Sequence, residues 1–264
     1  MSERAPGRVQ SVVKAMDLLA CLAQAGMPLA LGELSRRTGI PKATVHGLLA
    51  AMRPTAVVEQ SDEDGKYRLG VRLFEYGCVV SGGWNILEAA QEPMRQAAEE
   101  LGETVGIAQQ DRGSVLVLDC AEGRGNFRVV SERGSRLPLH CTSQGKLLLS
   151  FMSPAQRRTL LRGYEYTSHT EKSISCQEDL EKEMAAIQEQ GYSIESGELR
   201  IGLQSVAVPV YDVDGKVVYA LAVVRMLRNY NKDEMEFTLE VLSNAAHRIS
   251  YGLGYRGNSK NLIL

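Results

Sequence analysis

Residues 31–58 read LGELSRRTGIPKATVHGLLAAMRPTAVV. Two short segments with helical apolar spacing flank Gly39. In the first, about 31–38, Leu31 and Leu34 face inward and Arg36 and Arg37 outward. Gly39 turns the chain and Ile40 plugs the core. Pro41 suits the first turn of a helix, where its missing N–H would be unpaired anyway. The second segment runs to about Arg53 and buries Val45, Leu48, Leu49 and Met52. It leaves Lys42, Ala43, Thr44, His46 and Gly47 near an exposed N-terminal side. Many proteins enter the DNA major groove with such a helix pair, reading bases from the start of the second helix. Gly47 and Pro54 depart from regularity: one leaves the middle of that helix without a side chain, the other stops it early.

The flanks complete a small domain. Residues 9–25 place Val12, Val13, Met16, Leu19, Ala20 and Ala23 at helical spacing, with Gly26 ending the helix and Pro28 following. Downstream, Val57-Val58-Glu59-Gln60 and Lys66-Tyr67-Arg68-Leu69 surround a loop ending in Asp64-Gly65, the signature of a β-hairpin. Three helices and a hairpin make a winged helix-turn-helix over residues 1–70, mostly α, with Lys66 and Arg68 on the wing. Residues 1–8 form a polar arm that includes Arg8. Residues 71–85 read as a linker helix rich in Val71, Leu73, Phe74, Tyr76, Val79 and Val80. A domain this small has no core left for them. They either pack on a second copy or cover the C-terminal domain.

The helical reading continues to 101, interrupted by Ser81-Gly82-Gly83, and from Thr104 the texture changes to α+β within a C-terminal domain over 86–264. Strands are expected in TVGIAQQ (104–110), SVLVLDC (114–120), NFRVVSE (126–132), SVAVPVY (205–211) and KVVYALAVV (216–224). Helices are expected at 143–151, 154–162, 177–190 and 232–251, and residues 258–264 form a loose tail. The expected architecture is an antiparallel sheet flanked by helices, as in GAF and PAS sensor domains.

Composition narrows the function classes. The 264 residues, 44% apolar and 23% charged, fit two ordinary domains of a globular protein. No apolar run approaches the ~18 residues that cross a bilayer. The start, MSERAPGR, lacks a hydrophobic signal core. Five scattered cysteines without a C-x-x-C pair fit reduced cytoplasmic thiols better than a disulfide framework or structural zinc. His140-Cys141 lacks metal-ligand spacing, His169 and His247 read as surface or helix-face residues, and no metal or cofactor is expected. Residues 1–72 carry ten Lys and Arg against seven Asp and Glu, a net +3 on a chain whose total is −2. A basic head on an acidic body matches a DNA-contacting module joined to a regulatory domain.

RVQSV (8–12), the 31–46 run, YRLG (67–70), GETV (102–105), SRLPLH (135–140), Gly145-Lys146 and VAVPVYD (206–212) occur together in this order. The ordered set resembles the IclR family of bacterial transcriptional regulators, from about Arg8 to Gly252. The resemblance implies a winged helix-turn-helix on a GAF-like effector domain, acting as a dimer or tetramer, mostly as a repressor. It implies double-stranded DNA with a palindromic operator as one partner and a small organic acid as the other. Lys42, Thr44 and His46 match positions that the family presents to DNA, with Arg36, Arg37, Arg53, Lys66 and Arg68 available for phosphates. The family usually carries Arg at the position of Gly47, and leucine then glycine at Thr55 and Ala56; Ala56 suits a left-handed helix end poorly.

The resemblance also assigns an effector pocket to Ser143, Gln144, Glu195, Ser205, Ala222 and Val224. Members that bind small oxoacids commonly have cysteine at Ser205 and serines at Ala222 and Val224. The apolar replacements imply a ligand with more hydrocarbon, an aromatic or branched acid, with Glu195 taking a ligand hydroxyl or N–H. Independently, Thr142-Ser143 opens a helix whose free N–H groups favour an anion. Two rival functions stay open. Ser143 and Lys146 form S-x-x-K, the nucleophile-and-base spacing of some acyl-transfer enzymes, although their S-D-N and K-T-G partners are absent. The other rival is a cytoplasmic small-molecule-binding oligomer whose head does not read DNA.

Overall fold

The computed structural model describes residues 9–82, 85–125 and 132–257. Arg8, the arm at 1–8, the strand expected at 126–132 (save Glu132) and the tail at 258–264 lie outside the described residues. The chain forms two compact units, Met1–Gly83 and Trp84–Leu264.

In the first unit, α1 (Gln10–Ala25), α2 (Leu31–Thr38) and α3 (Lys42–Met52) precede a hairpin of β1 (Val58–Gln60) and β2 (Tyr67–Leu69), and α4 (Val71–Gly82) follows. Leu18, Leu22, Leu29, Leu34, Ile40, Val45, Leu49, Val58 and Tyr67 make one core. Fully burying such a side chain stabilises by about 1.5–3 kcal/mol, so nine of them hold a domain of this size. Leu29 adds a third rung to the wing by exchanging two backbone hydrogen bonds with Tyr67, at 2.9 and 2.8 Å. The apolar spacing of α1 does not translate into burial along its whole length: Val12, Val13 and Met16 are exposed, and only Leu18 and Leu22 are fully buried.

Past Met52 the chain makes one 3-10 turn over Arg53–Thr55, which holds Pro54. Ala56 then adopts the left-handed conformation at φ 57°, its N–H bonded to the Arg53 carbonyl at 3.0 Å. The Ala56 carbonyl accepts the Arg72 N–H at 3.1 Å. A Cβ on Gly70 would meet that carbonyl oxygen at 2.1 Å, so glycine is required there. The irregular helix end is thus clamped by the start of α4.

The second unit contains α5 (Asn85–Leu101), β3 (Thr104–Asp111), β4 (Ser114–Ala121), β5 (Arg136–Leu137), α6 (Ser143–Phe151), α7 (Pro154–Leu160), α8 (Gln177–Gln190), β6 (Ser193–Ser196), β7 (Leu203–Tyr211), β8 (Val217–Met226) and α9 (Lys232–Gly252). The strands form an antiparallel sheet in the order β5-β4-β3-β8-β7-β6. Helix α7 ends two residues before the expected 162, ahead of a turn through Gly163 at φ 72°.

Strand alternation sends the two faces of the sheet to different helices. Val206, Val208, Val210, Leu221 and Val223 pack on α5 and α9. The other face carries Ala207, Ala220 and Ala222 beneath Leu147 and Leu148 of α6 and Ile187 of α8. These small residues let α6 lie close on the sheet, and Ser143 to Ser150 are all buried. At the helix start a Cβ on Gly145 would meet the Leu139 carbonyl oxygen at 2.3 Å. No described helix is long and apolar enough to cross a membrane.

Candidate functional site

Two sites were expected, and each lies within one unit. On the first unit, α3 presents Lys42, Ala43 and His46 at the surface, with Thr44 half-buried. The Lys42 stem lies over Gly32 at the start of α2, where a built Cβ would sit 3.5 Å from its Cε. Lys42, His46 and Arg53 have no acidic partner among the described residues. The other described cations among the expected DNA contacts are paired. Arg36 and Arg37 share Glu33, at 3.8 and 2.6 Å, Lys66 meets Asp64 at 2.9 Å, and Arg68 meets Glu59 at 2.9 Å. The Lys66 ammonium draws the Asp64 carboxyl down to about 2. Solvent screens exposed pairs of this kind, so a phosphate can replace the acid at little cost. Apart from its chain neighbours and its own helix backbone, no described atom comes within 4 Å of a Cβ built on Gly47. The close approach of another helix is therefore not what requires glycine there.

In the second unit a cavity of about 460 Å³ opens beside the start of α6. That volume suits a small organic ligand. Ser143, Gln144, Glu195, Ser205 and Val224 line it together, so five of the six expected residues meet. Ala222 does not line it: it is buried beneath Leu147 and Leu148. Its small size serves the packing of α6.

The cavity floor is built by hydrogen bonds. Thr142 caps α6: its hydroxyl accepts the Gly145 N–H at 3.1 Å and donates to the Pro138 carbonyl at 2.7 Å. The Gln144 amide donates to the Gly106 and Ala220 carbonyls, both at 3.1 Å, which ties the helix start to β3 and β8. The Ser143 hydroxyl has no hydrogen-bond partner among the described residues, so it is available to a ligand. Glu195 is mostly engaged. Its carboxylate accepts the Glu198 and Leu199 N–H groups at 2.6 and 3.2 Å and the Ser205 hydroxyl at 3.1 Å. A carboxylate has about four acceptor sites, so one remains for a ligand donor.

Sequence reasoning missed Arg136, Leu137, Leu199, Arg200 and Leu203, which also line the cavity. Arg136 is held by Asp111 and by the Ser114 hydroxyl at 2.7 Å. Arg200 is exposed, with no side-chain partner among the described residues. The signal for Arg200 was a lone cation in the glycine-containing loop after Glu195.

Lys146 does not point at Ser143. It is 1% exposed, and its ammonium group donates to Glu198 at 2.6 Å, Glu183 at 3.0 Å and the Ile194 carbonyl at 2.9 Å. Burial raises the Glu198 carboxyl above its ordinary pKa, opposed by Lys146. With all three donors engaged, the lysine is a brace between α6, α8 and the cavity loop. The acyl-transfer reading loses its base.

Comparison with known proteins bears on the chain as a whole. A family model described as the IclR helix-turn-helix domain matches residues 11–62, and one described as the C-terminal part of the bacterial transcriptional regulator IclR matches residues 79–251. The HTH-type transcriptional regulator XynR of Escherichia coli K12 is 31% identical over 94% of this chain and 98% of its own. The regulator KdgR of the same organism is 30% identical over 96% of each. An IclR homolog from Microbacterium hydrocarbonoxydans, solved in complex with 4-hydroxybenzoate, superimposes with a TM-score of 0.81 at 24% identity, covering 92% of this chain and 98% of that one. With a winged helix-turn-helix, a capped-helix cavity and matches along nearly its whole length, the chain belongs to the IclR family of bacterial transcriptional regulators.

Proposed function

We propose that this protein is an effector-responsive repressor of a catabolic or metabolic operon, acting in the cytoplasm as a dimer or tetramer on a palindromic operator. Residues 1–70 read DNA, 71–85 link, and 86–264 bind the effector and oligomerise. One observation carries the reading: the start of α3 is exposed and holds Lys42 and His46 without acidic partners among the described residues. An unpaired lysine beside a threonine and a histidine at a helix start suits phosphate and base-edge contacts. On the same unit Phe74 and Val79 of α4 are 72% and 78% exposed. Large apolar side chains left so open in a small unit supply a face for a second copy, and two copies are what a palindrome requires.

The effector is an organic acid with a hydrocarbon or aromatic body. Its carboxylate meets the N-terminal end of α6, where Ser143 and the positive end of the helix dipole favour an anion. Leu137, Leu199, Leu203 and Val224 supply apolar wall. The complex of the Microbacterium homolog with 4-hydroxybenzoate motivates including hydroxybenzoates among the trial ligands. Footprinting of DNA upstream of the protein's own gene is expected to protect two symmetric half-sites. A thermal-shift panel is expected to give larger stabilisation by aromatic and branched acids than by glyoxylate. A preference for glyoxylate-sized acids would remove the hydrocarbon assignment and leave the DNA reading intact.

A further inference from the structure

Behind the cavity wall lies a cluster that the sequence spacing concealed. His140 and Cys141 sit between β5 and α6, and His169 lies on the segment between α7 and α8. One ligand atom from each falls within 4.8 Å of the others. The two imidazoles stack with centroids 6.1 Å apart at 28°. His140 and Cys141 are buried while His169 is exposed, so the cluster has a dry base and a mouth toward solvent. Tyr166, edge-on to His140 at 5.6 Å between ring centroids, has a buried hydroxyl without a partner among the described residues.

We propose that His140, Cys141 and His169 form a binding site for a zinc-class divalent ion. A thiolate and two imidazoles are the donors that borderline-soft ions prefer. Coordination forms one metal–sulfur and two metal–nitrogen bonds, and the Cys141 thiol proton passes to water. Bond lengths of about 2.0–2.3 Å require the ligand atoms to draw in by on the order of 1 Å, which the exposed His169 segment can supply. His140 is already oriented by its outer partners: one ring nitrogen meets the Thr167 carbonyl at 3.0 Å, the other the Tyr164 hydroxyl at 2.9 Å. A backbone carbonyl on one nitrogen is the usual outer support of a metal-bound histidine, and the ion takes the place of the other bond. A fourth position is left to water, and the unpartnered Tyr166 hydroxyl offers it an acceptor within the same cluster.

The ion would also tie down the wall of the cavity. Thr170, next to His169, donates to the Gly197 carbonyl at 2.7 Å, and Ser173 donates to the Glu198 carbonyl at 2.7 Å. The same loop continues to Leu199 and Arg200, which line the cavity.

The test uses the full-length protein, reduced and stripped with a chelator. Zinc is titrated against a chromophoric competitor, and cobalt(II) is added separately as a spectroscopic probe. One zinc per chain is expected, with a sulfur-to-cobalt charge-transfer band that disappears in Cys141→Ala and persists in His247→Ala. His169→Ala should weaken zinc by at least about tenfold, since losing even an outer support of a ligand costs 10–100-fold. Absence of the thiolate band, or wild-type zinc affinity in His169→Ala, would overturn the site. His169 is exposed, so its variant keeps the test decisive even if Cys141→Ala does not fold.

Discussion

Gly47 is the residue whose meaning changes most between sequence and structure. Its surroundings are empty, so no packing constraint demands glycine. Alanine there should stabilise the first unit by about 0.5–1 kcal/mol through helix propensity alone. Thermal melts of Gly47→Ala test this, and a loss of stability would reveal a constraint that the surroundings do not contain. His140 carries a second residue-scale consequence. Burial lowers its pKa below the ordinary value, partly opposed by the Thr167 carbonyl and reinforced by His169. Because the folded pKa is depressed, its contribution is fully present above the unfolded pKa of about 6.5. It is lost as pH falls through the folded value. Glu198 is raised, so its contribution runs the opposite way, lost as pH rises through its folded pKa. Melts between pH 7.5 and 5 in chelator should therefore show His140→Gln losing less stability on acidification than the wild type. An identical acid slope in both would contradict the assignment.

Helix α6 shows how far elements could be read in advance. Its start was legible from Thr142-Ser143 and Gly145-Lys146, because a cap and a glycine are local signals. The family resemblance assigned Ala222 and Val224 together to the pocket, but it carries no information on what covers each position of β8 in this chain. The structure puts Leu147 and Leu148 over Ala222 and leaves Val224 at the cavity. His140, Cys141 and His169 were illegible as a cluster for the same kind of reason: the segment between α7 and α8 has to fold back before they meet. Gly145→Ala tests the tight contact of α6 directly. Its Cβ would sit 2.3 Å from the Leu139 carbonyl oxygen and 2.6 Å from the Leu139 Cα. Overpacking of this kind costs about 1–3 kcal/mol, read as a lower denaturation midpoint of the second unit. The variant should also lose effector stabilisation, since Thr142 and Ser143 shift with the helix start. A midpoint equal to wild type would mean that α6 does not sit against the sheet as described.

At the scale of the molecule, the proposed function divides the work between a basic head on DNA and an acidic body on effector. The whole-chain order of motifs identified the family, whereas cation pairing on the wing depends on how the hairpin folds: Lys66 and Arg68 are engaged by Asp64 and Glu59, while Lys42 and Arg53 have no acidic partner among the described residues. Phosphate binding should therefore lean on α3 more than on the hairpin. The decisive measurement is a fluorescence-anisotropy titration of a footprinted operator over a range of salt concentrations, for wild type and Lys42→Ala/Thr44→Ala. Each phosphate contact adds about 0.9 to the magnitude of the slope of log K against log salt. The double variant should lower that magnitude by about one unit per binding helix and weaken the operator complex by at least about tenfold, within the range of 1–3 kcal/mol for one base contact. Unchanged affinity and unchanged slope would contradict DNA reading by α3.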